Sequence, residues 1–513
     1  MKTPESVISK VNTALGKDGK LAFLSAVVCG LIAHMPALSF DIPNHDGLDS
    51  VYSSQDLLTS GRWFLGTACS ISSFYSLHWV IGVLALVYIA LAAVFAVKLL
   101  KVEKPLFIVL IAGLLVTFPT LASNFAYAFT MDGYMMGLLF AVLSVYLVSQ
   151  FKWGFIAGGV VLSLSMGIYQ AYLPVAMLLS LYMALMILAE KTDLADKDKR
   201  CLKYLYMGVI GAGLYYIILK ILLAVTGKEL DTYQGISSAT ERASFAETLK
   251  AVYTDFAAFT LKGHVLFNNA AALMAVAVLT VSFAVALLVK AIKEKWLKSV
   301  WFYVIAVVTV VAVPLFTNII VFISKDVTYH SLMRYQWAVF GVLALAFVES
   351  VIKESEDKCG NVLEWCAVIA ATAIIFTNVL TVNVAYFNLE KKYEKTYAYC
   401  LRLADRIEQT EGYYQGIPIY MIGVVGDDNF PITDITSDVT DHLLGIDKDM
   451  LFYTSANFEA FYKHYMGISF NFLRPEEANY YDTPEYIAMP SFPGAGSTKV
   501  VDGVLYVKTE NMH

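Results

Sequence analysis

The chain has 513 residues, of which 58% are hydrophobic and only 16% charged, with a mean hydropathy of +0.61. A soluble domain carries nearer a quarter charged residues, so composition excludes one and points to a helical protein that crosses a membrane many times. A net charge of -6 gives no case for nucleic-acid binding, and the six scattered cysteines show neither CxxC nor metal-ligand spacing.

The polar lead "MKTPESVISKVNTALGKDGK" precedes a first apolar run with no convincing cleavage site, so that run reads as a retained span. About eleven spans follow from the length a bilayer requires. They lie near 21–40, 78–99, 105–123, 133–150, 154–170, 172–189, 204–226, 269–291, 299–323, 332–351 and 363–385. With the N-terminus inside, the inner loops hold 19 Lys and Arg and the outer loops between spans hold 7. That asymmetry places the N-terminus on the cytoplasmic side and the C-terminus outside.

The first outer loop, "PNHDGLDSVYSSQDLLTSGRW", is rich in ionisable groups. A helix over 47–59 would put Asp46, Asp49 and Asp56 on one face, with Val51, Leu57 and Leu58 giving apolar contacts. A carboxylate partly shielded at the membrane surface suits a base toward a hydroxyl; a solvated acidic loop is the plainer alternative. The second outer loop puts Asp132 at the start of the fourth span, as a substrate ligand, a partner for Arg62 or a helix cap. Between the fifth and sixth spans, Tyr169, Gln170 and Tyr172 suit sugar faces and hydroxyls, or an aromatic belt.

The long third outer loop, 227–268, contains an amphipathic helix over 242–260, a surface element or lid in which no single residue stands out. In "SKDVTYHSLMRYQW", Lys325, His330, Arg334 and Tyr335 gather at the tenth span. Arg334 could hold a lipid phosphate, anchor at the headgroups or pair with an outer-loop acid. The two "DKD" stretches, 196–198 and 447–449, follow no βαβ pattern, and His78 and His264 read as interfacial. The chain divides into a transmembrane domain, 1–385, and an acidic outer domain, 386–513. In the latter, "YAYCLRLADRIEQ" reads as helix, "IPIYMIGVV" and "GVLYVKT" as strands and "GDD" as a turn, hence a small α+β fold.

The stretches "NHDGLDSVYSSQDLLTSGRWFL", "FAYAFTMDGYMMGLLFAVLSVYL", "LSLSMGIYQAYLPVAML" and "HSLMRYQWAVF", in this order, resemble the Gtr-type bacterial membrane glucosyltransferases. The ending "MPSFPGAGSTKVVDGVLYVK" does too. The resemblance implies a C-type glycosyltransferase architecture that modifies O-antigen or other surface polysaccharides. Where many members carry two adjacent acids before Gly-Arg-Trp, this chain has His45 and Asp46. Asp46 is then the implied base, with Asp49 second and Asp132 as a second-loop acid.

Arg334, Arg62 and Lys325 would face the donor phosphate. His45, Tyr169, Gln170, Tyr172, His330 and Tyr335 would face the sugars. The implied donor is glucose on a polyprenyl phosphate, the acceptor a polysaccharide hydroxyl, and a single displacement would invert the anomeric centre. A phosphate leaving group requires no cofactor, and a divalent cation is compatible with it. A flippase or polymerase for lipid-linked saccharides is the alternative. Nearly charge-free central spans, Lys220 excepted, favour chemistry at one face instead.

Overall fold

In hydrocarbon every backbone polar group must be satisfied within its own segment, so long apolar runs close into helices. The computed structural model describes residues 3–49, 53–70, 77–191, 193–231, 245–262, 265–266, 268–324, 327–353, 358–421, 443, 455–474 and 483–509. Its first half runs α1 (Pro4–Ser39), α2 (His45–Asp49), α3 (Leu65–Ala68), α4 (His78–Leu100), α5 (Pro105–Thr117), α6 (Thr120–Ala126), α7 (Met131–Gln150) and α8 (Gly154–Ile168). There follow α9 (Leu173–Ala189), α10 (Leu194–Thr226), α11 (Phe245–Lys262), α12 (Ala270–Lys293), α13 (Val300–Thr317), α14 (Ile319–Ile323), α15 (Trp337–Ile352) and α16 (Lys358–Glu408).

Among the described residues, nine helices are long and apolar enough to cross a membrane: α1, α4, α7, α9, α10, α12, α13, α15 and α16. The pair α5 and α6, bent by 52°, adds a tenth if it is taken as one span. Pro119, which has no N–H to continue the ladder, stands at that bend. Helix α8 is apolar but only 15 residues long. All eleven runs expected to span are helical, nine of them, or ten with the bent pair, long enough to cross, and the fold is polytopic and helical. Small buried residues, among them Ala22, Ala26, Ala85 and Ala93, line the core where the helices pack.

Ion pairs sort the loops into two ends. At one end Lys104 meets Glu364 at 2.5 Å, Lys191 meets Glu294 at 2.7 Å, and Lys353 reaches Glu103 and Glu349 at 3.2 and 3.1 Å. Buried Glu349 also accepts the backbone N–H groups of Glu103 and Lys104, both at 2.9 Å, and so caps α5, whose positive dipole end favours a carboxylate. The opposite end carries α2, the start of α7 and the approach to α15.

Helix α16 runs unbroken through residue 386, where the composition shifts. Beyond it lie β1 (Pro418–Tyr420), α17 (Ser455–Phe461), β2 (Asn471–Phe472), α18 (Pro484–Ala488), β3 (Thr498–Val501) and β4 (Val504–Val507). The sheet order is β2-β1-β4-β3, with β1 parallel to both neighbours and β3 antiparallel to β4. Asp502 and Gly503, both at positive φ, form the tight β3–β4 turn. The helix and both strand segments expected here are present as far as they are described. The "GDD" turn lies outside the described residues.

Candidate active site

The first outer loop does not form the expected helix over 47–59. Helix α2 ends at Asp49, and Leu57 and Arg62 pair as an isolated antiparallel bridge around a 3-10 turn, Leu58–Ser60. Gly61 closes that turn at φ 73°, a left-handed conformation that favours glycine. Asp56 therefore does not share a face with Asp46; it turns to Lys228 at 3.1 Å.

The closed turn makes a polar hub. Gln170 Nε2 donates to Ser60 O at 3.1 Å and to Tyr215 Oη at 2.9 Å, and Tyr215 Oη donates to Gly61 O at 3.1 Å. A Cβ on Gly61 would lie 2.6 Å from Tyr215 Oη and 2.7 Å from Gln170 Nε2. Gly61→Ala is thus expected to cost roughly 1–3 kcal/mol and to displace Arg62. A melting temperature and transfer rate equal to wild type would contradict this.

Arg62 follows the hub. Its guanidinium donates to Tyr134 Oη at 3.1 Å and lies over the Tyr169 ring, 4.8 Å from the centroid. Tyr134 and Tyr169 stack at 4.7 Å, and edge contacts continue to Tyr172 at 5.6 Å and from there to Tyr335 at 6.5 Å. An aromatic ladder therefore joins the first loop to the start of α15. Asp132 is buried in the first turn of α7, where the helix dipole favours a carboxylate.

Asp46 remains half exposed, its side chain 52% accessible, with His45 Nε2 3.4 Å from Oδ1. It lies within electrostatic reach of Tyr134 and His330. The C-terminal region touches the same loop. Asn457 Nδ2 donates to His45 O at 3.3 Å, and Tyr465 Oη donates to Asp41 Oδ1 at 3.1 Å. The side chain of Asp49 lies outside the described residues, as do Lys325, His264 and the second "DKD" stretch. Asp196 of the first "DKD" stretch pairs with Arg200 at 3.7 Å and has no place at this end.

Arg334 has an acid partner. Its Nη1 and Nη2 donate to the two carboxylate oxygens of Asp255, each at 2.8 Å, and its Nε donates to Tyr329 O at 3.0 Å. Phe259 and Tyr329 cover the guanidinium at 4.4 and 4.2 Å, which leaves the side chain 9% accessible. Of the three roles open to Arg334 in the sequence, the structure shows the pairing with an outer-loop acid. Asn318 Nδ2 donates to the same carboxylate at 2.9 Å and to Val252 O at 3.0 Å. These contacts fix amphipathic α11 to the bundle. Asp255 stood out in no sequence motif. The available signal was a lone acid beside Val252, Phe256 and Phe259 on the apolar face of α11.

His330 feels both the acid and the arginine. Burial, aided by the Arg334 charge and opposed by Asp46, holds its imidazole below the ordinary 6.5. The folded state therefore favours the neutral ring. As pH falls through 6.5, the unfolded chain takes up a proton that the folded one resists, and stability declines. Melting temperature is expected to drop with acidification in this window, and His330→Gln should flatten the slope. Parallel pH curves for the two proteins would contradict that reading.

The decisive comparison concerns most of this architecture. Residues 35–350, from the end of α1 through nearly all of α15, match the family model described as Glucosyl transferase GtrII. The chain belongs to the GtrII glucosyltransferase family. No curated protein and no solved structure matches it. The matched region of this GtrII chain contains Asp46, Arg62, Asp132, Asp255 and Arg334, so every charged group of the site lies within the family portion. Family membership implies glycosyl transfer, which requires a sugar donor and an acceptor. Among the described residues no group of three or more His, Cys, Asp and Glu could hold a metal ion.

Proposed function

We propose that this GtrII chain moves glucose from a polyprenyl-phosphate donor to a hydroxyl of a surface polysaccharide, at the end of the bundle that carries Asp46. The observation that supports the donor class best is a cavity of about 630 Å³ beside Arg334. Its walls come from α5, α9, α11, α12, α13, α15 and α16 and are almost wholly apolar; Leu178, Leu279, Phe283 and Leu343 are typical. Its lining includes Thr260 and Trp337, whose Nε1 donates to Thr260 Oγ1 at 3.0 Å. The Trp337 ring lies 5.7 Å from the Arg334 guanidinium carbon. An apolar slot whose lining Trp337 lies between it and a guanidinium suits a prenyl chain ending in phosphate.

In the reaction, the acceptor hydroxyl oxygen attacks the anomeric carbon and Asp46 takes its proton. The bond from that carbon to the phosphate oxygen breaks, and its electron pair leaves with the polyprenyl phosphate. One displacement inverts the configuration. Arg62, and Arg334 once released, stabilise the charge that develops on phosphate. The carboxylate of Asp255 and a phosphate both present two oxygens to a guanidinium fork, so donor binding exchanges one for the other at Arg334. The lysine and arginine asymmetry of the loops supports a site on the outer face, with the C-terminal region over the acceptor path; the family resemblance supports a bacterial inner membrane.

Filling the cavity tests the donor assignment. Ala338→Phe, on its wall, is expected to raise the donor KM roughly tenfold or more with the acceptor KM unchanged. Unaltered donor kinetics in a stably folded variant would remove the cavity from the donor site.

A further inference from the structure

The N-terminal stretch reads as polar by composition, yet its helix has two unlike faces. Thr3 caps the start: its Oγ1 accepts from Ser6 N at 3.3 Å, and Pro4 takes the first helical position. On a helical projection of 4–15, Val7, Ile8, Val11, Ala14 and Leu15 share one stripe, while Glu5, Ser9, Asn12 and Thr13 face away. Gly16, at φ 67° and ψ -175°, then breaks the axis before the first span continues.

Among the described residues, the end of this segment is tied to the bundle. Leu15 packs partly against the core, and Lys98 Nζ donates to Ala14 O. Val7, Ile8 and Val11 stay 47%, 67% and 54% exposed. A helix of about 12 residues is marginal in water without an apolar surface to pack on, so these side chains require one. The segment stands at the end of the bundle where Lys98, Lys101 and Lys104 collect, and Lys10, Lys17 and Lys20 of α1 exceed Glu5 and Asp18 in charge.

We infer that residues 4–15 are an interfacial anchor. The helix lies on the bilayer at the basic end of the bundle, its apolar stripe in the acyl boundary and Lys10, with Lys17 and Lys20 just past Gly16, against anionic headgroups. Gly16 supplies the corner between this surface helix and the span. The inference stands apart from the transfer reaction, because it concerns the opposite end of the molecule.

Amide hydrogen exchange of the full chain in single-copy nanodiscs tests it. The amides of 7–14 should exchange roughly tenfold more slowly in discs containing anionic phospholipid than in purely zwitterionic ones. Val7→Glu, Ile8→Glu and Val11→Glu together should abolish the difference while the rest of the exchange map stays unchanged. Equal exchange of the wild type in the two lipids would overturn the inference, as would a difference that survives the triple substitution. Protection confined to discs holding two copies would overturn it too, and would identify the partner as a second chain.

Discussion

Asp46→Asn is expected to lower kcat for glucosyl transfer by roughly 10²–10⁴-fold, with the donor KM close to wild type. The amide keeps the size of the carboxylate but cannot accept a proton from the attacking hydroxyl. Asp46 suits that role because it is reachable from solvent and sits within the field of His330 and Tyr134. Asp56→Asn serves as the control: that acid is spoken for by Lys228, so its loss should leave the rate unchanged. If Asp49→Asn stops transfer and Asp46→Asn does not, the base is Asp49.

The second large effect concerns Asp255 and Arg334, and its mark is a pair of opposite signs. Arg334→Ala should raise the donor KM by roughly 30-fold or more, since truncating one member of a buried charge pair costs about 2–5 kcal/mol of binding. It should also destabilise the fold by roughly 3 kcal/mol, because Asp255 is left without its counter-ion. Asp255→Asn removes the internal competitor for the guanidinium, so the donor KM should fall roughly threefold or more, although this variant too is less stable. A pair that serves only to hold α11 in place predicts lower stability in both variants and no opposed change in donor KM. Measuring both quantities on each variant separates the two accounts.

Much of the fold was legible in the sequence because hydrocarbon leaves a backbone few choices. All eleven apolar runs are helical, whereas the 52° bend at Pro119 inside the third was not anticipated. What composition hid came from helices whose faces differ. The polar shift near residue 386 did not end α16, because Tyr386, Leu389, Tyr399 and Leu403 continue a buried face while Lys391 pairs locally with Glu394 at 2.7 Å. The polar lead before the first span hid the apolar stripe of Val7, Ile8 and Val11 in the same way.

The site was legible in part. Asp46, Arg62, Asp132, Tyr169 and Arg334 were named from loop position and resemblance, and all lie at the same end of the bundle. The spacing of Asp46, Asp49 and Asp56 misled, because helical spacing implies a shared face only if the helix continues, and Gly61 helps turn the loop back instead. Asp255 was invisible because its partner is 79 residues away, and only tertiary packing brings this acid of α11 to Arg334.

The central claim is one-sided transfer from a lipid-linked sugar, with Asp46 as the base. The direct measurement uses the purified full chain in proteoliposomes with labelled polyprenyl-phosphate glucose and a polysaccharide acceptor supplied on one side at a time. The account predicts an inverted glucoside only when the acceptor is on the side of the C-terminal region, and none with Asp46→Asn. Labelled lipid-linked glucose that crosses the bilayer with no glucoside formed, or undiminished transfer by Asp46→Asn, would contradict it.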